Sequence, residues 1–271
     1  MQNEAKLNYV LCGDRHQPVI LLLHGFMGDC HDFERVIASL SEFCCLAVDL
    51  PGHGQTETEQ GSDYQMPLVA EALIDLLVEL QIERCILVGY SMGGRIALYL
   101  AVYFPQYFYG AVLESASPGL ATEPERDRRR LKDEQLAKRL ESADLANFVQ
   151  QWYANPLFKS FVVHPDADQA ISRRLNNNPR KLAISLRNIG LGTQPSLWNS
   201  LSKIQIPLLL IVGELDRKFV EINQAIANNC HLAELKIVSD SGHNVHFEQP
   251  AKFSQLLIGF SFRLPSIANA K

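Results

Sequence analysis

The chain has 271 residues and a formal net charge of −5 at pH 7, and 47% of its residues are hydrophobic. This is enough apolar material for one large core, so the composition does not require a second, separate domain. The acidic balance gives no general attraction to nucleic acid or to an anionic membrane, and an anionic ligand would need a local basic pocket.

Strand and helix patterns alternate over the first 119 residues. The unbroken apolar runs Val19–Leu23 and Cys85–Gly89 are typical of parallel strands that are covered on both faces. In chain order, the sequence predicts strands over 6–12, 19–23, 44–48, 85–89 and 110–114, and helices over 32–40, 67–80 and from residue 92 onward.

This alternation stops after residue 119. Residues 120–201 are helical and charged in pattern, without a strand-like apolar run, which is typical of an inserted helical cap. We therefore expect a core of residues 1–119 and 202–271 with a mostly parallel sheet flanked by helices, and a cap of residues 120–201. The alternation resumes with predicted strands over 207–213 and 234–238 and helices over 220–229 and 253–260.

Two further patterns concern the environment of the chain. No apolar run approaches the roughly 18 residues of a membrane span, so we expect a cytoplasmic protein without membrane insertion. The six cysteines include no Cys-x-x-Cys pair, which favours reduced thiols and argues against a metal site. We expect a monomer or a weak oligomer.

The predicted strand at 85–89 leads into the pattern Gly-x-Ser-x-Gly, formed by Gly89, Ser91 and Gly93. A serine on a sharp strand-to-helix turn takes a strained backbone conformation, and its neighbours need almost no side chain. The following helix directs its free N–H groups toward the place where negative charge develops. We therefore interpret Ser91 as a nucleophile or base.

A glycine-rich loop, residues 24–28, follows the second predicted strand. Such a loop allows a backbone N–H to approach an oxyanion closely, and we assign this role to Phe26, with the N–H of Met92 as its partner. We interpret His24 and His53 as structural histidines.

The two remaining catalytic candidates follow the two strands of the last part of the chain. Asp216 comes after the strand at 207–213, and His243 comes after the strand at 234–238. Groups at the carboxyl ends of parallel strands meet at one edge of the sheet. The chain order Ser91, Asp216, His243 is that of the α/β-hydrolase triad, so we predict the α/β-hydrolase fold, with Asp216 preferred over its neighbour Glu214.

Several longer motifs are more specific. They are Gly-Tyr-Ser-Met-Gly-Gly-Arg95, Trp152-Tyr-Ala-Asn-Pro-Leu-Phe158, Gly-Glu-Leu-Asp-Arg-Lys-Phe219 and Gly-His-Asn-Val-His246. Together they resemble the MenH family, the 2-succinyl-6-hydroxy-2,4-cyclohexadiene-1-carboxylate (SHCHC) synthases of menaquinone or phylloquinone biosynthesis. The resemblance covers roughly residues 24–250.

This resemblance implies a lyase. Its substrate, 2-succinyl-5-enolpyruvyl-6-hydroxy-3-cyclohexene-1-carboxylate, loses pyruvate after a proton is removed beside the succinyl carbonyl. Ser91, made basic by His243 and Asp216, would remove that proton, and no metal or organic cofactor takes part. The resemblance also places the following residues against the substrate: Tyr90, Arg95, Arg129, Trp152, Phe158 and Arg174.

Apart from the resemblance, the chemistry of a ligand with several carboxylates requires guanidinium groups in a pocket that excludes part of the solvent. The segment 123–141 holds seven basic and six acidic side chains, and pairs along a solvated helix account for most of them. Arg95 differs, because it lies one helical turn after Ser91, although a surface salt bridge remains an alternative for it. Whether Arg173 or Arg174 faces the substrate is left open by the sequence.

Two other functions are compatible with the same residues. A serine hydrolase of small esters, thioesters or C–C bonds would share the triad but would favour an apolar pocket. A non-catalytic ligand-binding protein on the same fold is the alternative from another class.

Overall fold

The structure is a computed structural model that describes residues 6–58 and 64–265, so the termini of the predicted core, residues 1–5 and 266–271, lie outside it. Seven strands in the described residues form one sheet. They are β1 (Tyr9–Cys12), β2 (Val19–Leu23), β3 (Cys44–Val48), β4 (Cys85–Tyr90), β5 (Phe108–Glu114), β6 (Leu208–Gly213) and β7 (Ala233–Val238).

The sheet is mostly parallel, as predicted. Its strands lie in the order β1-β3-β2-β4-β5-β6-β7, and β1 alone among them runs antiparallel to its neighbour. Leu23 pairs with Gly89 at the ends of β2 and β4, and Tyr90 pairs with Glu114 at the ends of β4 and β5. The loops that follow the parallel strands therefore emerge at one edge.

Each face of the sheet buries its own apolar layer because side chains alternate along each strand. In β2, Leu21 and Leu23 belong to one layer, whereas Ile20 and Leu22 belong to the other. The helices of the described chain are α1 (Glu34–Ile37), α2 (Met66–Glu79), α3 (Met92–Tyr103), α4 (Glu123–Ser142), α5 (Leu145–Tyr153), α6 (Lys159–Val162), α7 (Ala167–Arg174), α8 (Pro179–Ile189), α9 (Arg217–Asn229), α10 (Val245–Glu248) and α11 (Pro250–Ser261).

The segment between β5 and β6, residues 115–207, is described throughout and contains helices α4 to α8 and no strand. Thr122 starts α4 with a capping box, since its hydroxyl accepts from the N–H of Glu125 while the Glu125 carboxylate accepts from the Thr122 N–H. A separate apolar cluster, which includes the buried side chains of Phe161 and Leu182, packs these helices together. None of the helices in the described parts of the chain is long and apolar enough to cross a bilayer.

Two predicted elements are clearly shorter than expected. The strand predicted over 6–12 spans only Tyr9–Cys12, and Lys6 forms an isolated bridge with Glu57. The helix predicted over 32–40 forms α-helix only over Glu34–Ile37, between turns. After Ile37 the hydrogen bonds join residues three positions apart, as in a 3₁₀ turn. The Leu40 N–H, for example, donates to the Ile37 carbonyl at 2.9 Å.

Candidate active site

Ser91 lies on the predicted sharp turn between β4 and α3. Its backbone has φ 50° and ψ −102°, a strained conformation for a residue with a side chain. The flanking glycines are required by close approach, because a Cβ on Gly89 would lie 2.3 Å from the Gly93 carbonyl oxygen and one on Gly93 would lie 2.1 Å from that of Leu23. The backbone therefore fixes the position of the hydroxyl.

Ser91, His243 and Asp216 form a continuous hydrogen-bonded chain. The Ser91 Oγ lies 3.0 Å from His243 Nε2, and His243 Nδ1 lies 2.6 Å from the Asp216 carboxylate. Because a carboxylate can only accept, Nδ1 carries the proton and Nε2 is left to accept from the serine. Asp216 also caps α9 by accepting from the Phe219 N–H at 3.3 Å, whereas Glu214 is exposed.

The loop after β2 is fixed against the turn that carries Ser91. The N–H of Gly93 donates to the His24 carbonyl at 3.0 Å, and the His24 ring joins Leu50 N–H and the Gly25 carbonyl at 2.9 and 2.7 Å. This agrees with the structural role predicted for His24. Met92 opens α3, where N–H groups have no acceptor within the helix.

A cavity of about 160 Å³ lies over Ser91. The residues predicted as oxyanion donors, Phe26 and Met92, both line it, and so do Trp152 and Phe158. Trp152 packs against Phe26 with ring centroids 5.1 Å apart, and Phe158 packs edge-on against His243 at 6.0 Å. The rings of Trp152 and Phe158 thus form part of the wall of the cavity that Ser91 and His243 also line.

Arg95 brings a positive charge into this cavity. Its Nη1 donates to two neutral oxygens, the Ile189 carbonyl at 2.9 Å and Gln194 Oε1 at 2.8 Å, and no carboxylate of the described residues pairs with it. Burial, followed by the nearby Arg129, lowers the pKa of Arg95 to about 10, so it stays charged at neutral pH. The surface salt bridge considered for Arg95 is therefore not formed.

Arg129 supplies a second guanidinium to the cavity wall. Its Nε donates to Asp133 at 2.7 Å, and Asp133 is nearly fully buried at 3% side-chain exposure. This pair orients Arg129 and leaves its terminal N–H groups for a ligand. Two guanidinium groups on neighbouring elements thus face the space above Ser91.

A family model described as the α/β hydrolase fold matches residues 18–250. The chain is 36% identical over 251 residues to a putative 2-succinyl-6-hydroxy-2,4-cyclohexadiene-1-carboxylate synthase from Bacillus subtilis (strain 168), and the match covers 92% of each chain. The chain belongs to the SHCHC synthase family. This confirms both the α/β-hydrolase fold and the resemblance found in the motifs.

Two other proteins are similar to this chain over most of its length. MenH from S. aureus superposes with a TM-score of 0.90 at 33% identity, over 94% of this chain and 98% of that one. The chloroplastic protein PHYLLO from Arabidopsis thaliana is 33% identical over 91% of this chain, which corresponds to 15% of that much longer protein. The similarity of this chain to the SHCHC synthase family therefore extends over the helical segment between β5 and β6.

The expectation that Arg174 faces the cavity is wrong. Its Nη1 forms an ion pair with Asp32 at 2.6 Å, and its Nε donates to the Tyr153 hydroxyl at 3.2 Å, with only 5% of the side chain exposed. The buried Asp32 carboxylate requires a cation, and Arg174 supplies it. Arg173 also turns toward Asp32, at 3.5 Å, so neither of the two adjacent arginines lines the cavity.

Tyr90 is likewise absent from the cavity wall, contrary to the expectation. Its ring packs over the backbone of Gly25, where a Cβ would lie 2.6 Å from Tyr90 Cε1. The ring also contacts His243 and His246, with centroids 5.5 and 4.9 Å away. Tyr90 therefore packs against the triad histidine and belongs to the apolar layer that also contains Ile86 and Val88.

The structure adds polar groups that the sequence analysis missed. Gln194 accepts a hydrogen bond from Arg95. Lys218, which lies in the motif that ends at Phe219, reaches the cavity wall. Ser115 and Ser185 also line the cavity, and their fully buried hydroxyls have no hydrogen-bond partner among the described residues. No local pattern distinguishes these two serines.

Proposed function

We propose that this protein is an SHCHC synthase that eliminates pyruvate from 2-succinyl-5-enolpyruvyl-6-hydroxy-3-cyclohexene-1-carboxylate in menaquinone or phylloquinone biosynthesis. The observation that carries the proposal is the position of Arg95. Its guanidinium has only neutral oxygen partners among the described residues and lines the same cavity as Ser91. A hydrolase of neutral esters has no use for this charge.

The proposed substrate carries three carboxylates, which complement the charges of the cavity. A carboxylate that leaves water without a partner is strongly destabilised, whereas a guanidinium pairs with it through two parallel hydrogen bonds. Arg95 and Arg129 supply such groups, and Trp152 and Phe158 supply the apolar surface that the ring of the substrate needs. We propose these four residues as substrate-binding residues.

In the proposed reaction, the first step is proton removal beside the succinyl carbonyl. His243 accepts the hydroxyl proton of Ser91, and the serine oxygen takes the proton from carbon. Asp216 stabilises the resulting imidazolium through the 2.6 Å contact with Nδ1. The electron pair of the broken C–H bond moves onto the carbonyl oxygen as an enolate.

The N–H groups of Phe26 and Met92 would then stabilise the enolate oxygen. When the enolate collapses, a C=C bond forms between C2 and C3 of the ring, the existing C3=C4 bond shifts to C4=C5, and the C–O bond from C5 to the enolpyruvyl group breaks. The leaving group departs as the enolate of pyruvate and regains a proton from the His243 imidazolium by way of Ser91. Atoms and electrons balance without an oxidant, a reductant or an organic cofactor.

The proposal also includes a cap domain, a cellular location and an oligomeric state. Residues 120–201 would act as a cap over a core of residues 1–119 and 202–271, because the cavity lies between Ser91 of the core and Trp152 of the cap. All six cysteines are free thiols, which supports a location in the reducing cytoplasm. We expect a monomer or a weak oligomer whose ligand is a small molecule.

Pyruvate release tests the proposal directly. The purified protein is incubated with the enolpyruvyl substrate, and pyruvate is followed through NADH consumption by added lactate dehydrogenase, against an enzyme-free blank. We expect turnover by the wild type and a loss of at least about 10³-fold in Ser91→Ala, because the base of the reaction is removed. The exposed Ser142→Ala serves as the matched control and should retain wild-type turnover.

Parallel assays distinguish the alternatives. Fast hydrolysis of p-nitrophenyl esters without pyruvate release would identify a serine hydrolase. Tight binding of the substrate without release of pyruvate or of any other product would identify a binding protein.

A further inference from the structure

A second cavity of about 620 Å³ opens beside the one over Ser91. Six residues line both cavities, so the two adjoin each other. We name the larger cavity the vestibule. The residues common to both are Arg129, Trp152, Leu157, Phe158, Lys218 and Phe219.

The vestibule is lined by cations from two elements. On α4, Arg129, Lys132 and Arg139 follow one another at spacings of three and seven residues, which places them on one face of the helix. Lys218 contributes from the start of α9. Asp216 is the carboxylate residue of the described lining, and it is buried against His243.

Two acidic residues of α4 pair with an arginine outside the vestibule lining. Glu134 and Glu141 both pair with Arg187 of α8, at 2.7 and 2.9 Å. Within residues 6–58 and 64–265, no carboxylate forms an ion pair with Lys132, Arg139 or Lys218. Among the four cations of the vestibule, Arg129 pairs with Asp133 at 2.7 Å, whereas Lys132, Arg139 and Lys218 line the vestibule without a carboxylate partner in the described residues.

Because these cations line a cavity that adjoins the one over Ser91, we propose that the vestibule leads into the catalytic cavity and is a capture site for a small polycarboxylate. The proposal rests on the proposed function and adds the residues that collect the substrate before Arg95 and Arg129 bind it. Cations around a funnel with apolar walls attract a multiply charged anion over a distance of about a Debye length, or ~10 Å at 0.1 M salt.

The test compares two double variants of α4. Lys132→Gln/Arg139→Gln removes two charges from the vestibule, and Arg128→Gln/Lys138→Gln removes one arginine and one lysine from exposed positions outside its lining. For pyruvate release at ~20 mM salt, we expect kcat/KM to fall about five- to tenfold in the first variant and less than about twofold in the second. Near 0.5 M salt the difference should shrink to about twofold or less, because the Debye length becomes about 4 Å.

Binding provides a readout that does not depend on turnover. Trp152 lines both cavities, so binding of citrate, used as a tricarboxylate probe, can be followed by tryptophan fluorescence. We expect citrate binding to weaken with salt and in the Lys132/Arg139 variant but not in the control variant. Thermal unfolding of both variants verifies that they are folded.

The outcomes separate the two proposals. If the protein releases no pyruvate but citrate binding depends on Lys132 and Arg139, the capture site stands and the proposed function fails. If both double variants match the wild type in citrate binding and in the salt dependence of turnover, the capture site is overturned while the proposed function stands.

Discussion

Glu114 holds His246 at both its backbone and its ring, accepting from the His246 N–H at 3.0 Å and contacting Nδ1 at 2.7 Å. Both side chains are almost fully buried, at 0% and 1% exposure. The backbone carbonyl of Glu114 also accepts from the N–H of Ser91 at 2.8 Å. One residue at the end of β5 therefore joins the serine turn to the loop that carries His243.

Replacement of Glu114 should reduce the stability of the fold. In Glu114→Ala, the buried His246 ring and backbone N–H lose their hydrogen-bond partner, and we expect a loss of about 1–3 kcal/mol in the free energy of unfolding. Glu114→Gln keeps an oxygen acceptor and should lose less. Urea unfolding measures these losses, with the exposed Glu71→Ala expected within about 0.5 kcal/mol of wild type. A Glu114→Ala protein as stable as Glu71→Ala would refute this role.

Arg95 should contribute chiefly to substrate and transition-state binding. We expect kcat/KM for pyruvate release to fall about 10- to 150-fold in Arg95→Ala, the equivalent of about 1.5–3 kcal/mol for a charged hydrogen bond. Gln194→Ala should give a smaller loss, because it removes one of the two oxygens that orient the guanidinium. Arg128→Ala, at an exposed position, is the control, and an equal loss in that variant would point to a general charge effect.

Arg174 should contribute to stability, since it lies outside the cavity wall. Burial alone would raise the pKa of Asp32, but the Arg174 guanidinium holds that pKa below its usual value. Removing the arginine leaves a buried carboxylate without a cation, so we expect Arg174→Ala to lose about 3–5 kcal/mol in urea unfolding. Arg173→Ala, whose contact with Asp32 is longer at 3.5 Å, should lose about 1 kcal/mol or less. If Arg174→Ala instead kept its stability and had a raised KM, Arg174 would be a substrate-binding residue.

His53 should make the fold sensitive to acid. Burial, followed by the nearby His24, lowers the pKa of His53 from 6.5 to about 3. Between these two values the unfolded chain binds a proton that the folded chain does not, so stability decreases as the pH falls, by roughly 1.4 kcal/mol per pH unit from this group. Above pH 6.5 the group has no effect.

A variant isolates this contribution. His53→Asn can keep the hydrogen bond to the Pro51 carbonyl, now 3.1 Å from Nδ1, but cannot titrate. We expect urea unfolding between pH 6.5 and pH 4 to show a shallower loss of stability in this variant than in the wild type. Parallel pH profiles for the two proteins would show that His53 is protonated in the fold.

The sheet and the triad of Ser91, Asp216 and His243 could be predicted because their signals are local. A run such as Val19–Leu23 identifies a buried strand, and the carboxyl ends of parallel strands share an edge whatever the details of packing. The glycines beside Ser91 reflect backbone contacts within a few residues, so they also leave a pattern in the sequence. The order of Ser91, Asp216 and His243 then selected one fold among those with a catalytic triad.

The direction of each charged side chain could not be predicted in the same way. Arg129 and Arg174 are both arginines of helices in the segment between β5 and β6, yet one lines the cavity and the other is buried against Asp32 from a distant part of the chain. A long side chain turns toward whichever carboxylate the fold brings near it, and that partner is far away in sequence. The sequence by itself determined the fold, the family and the triad, whereas only the tertiary structure decided which cations are left without carboxylate partners to meet a ligand, because ion pairing in a buried site depends on three-dimensional neighbours.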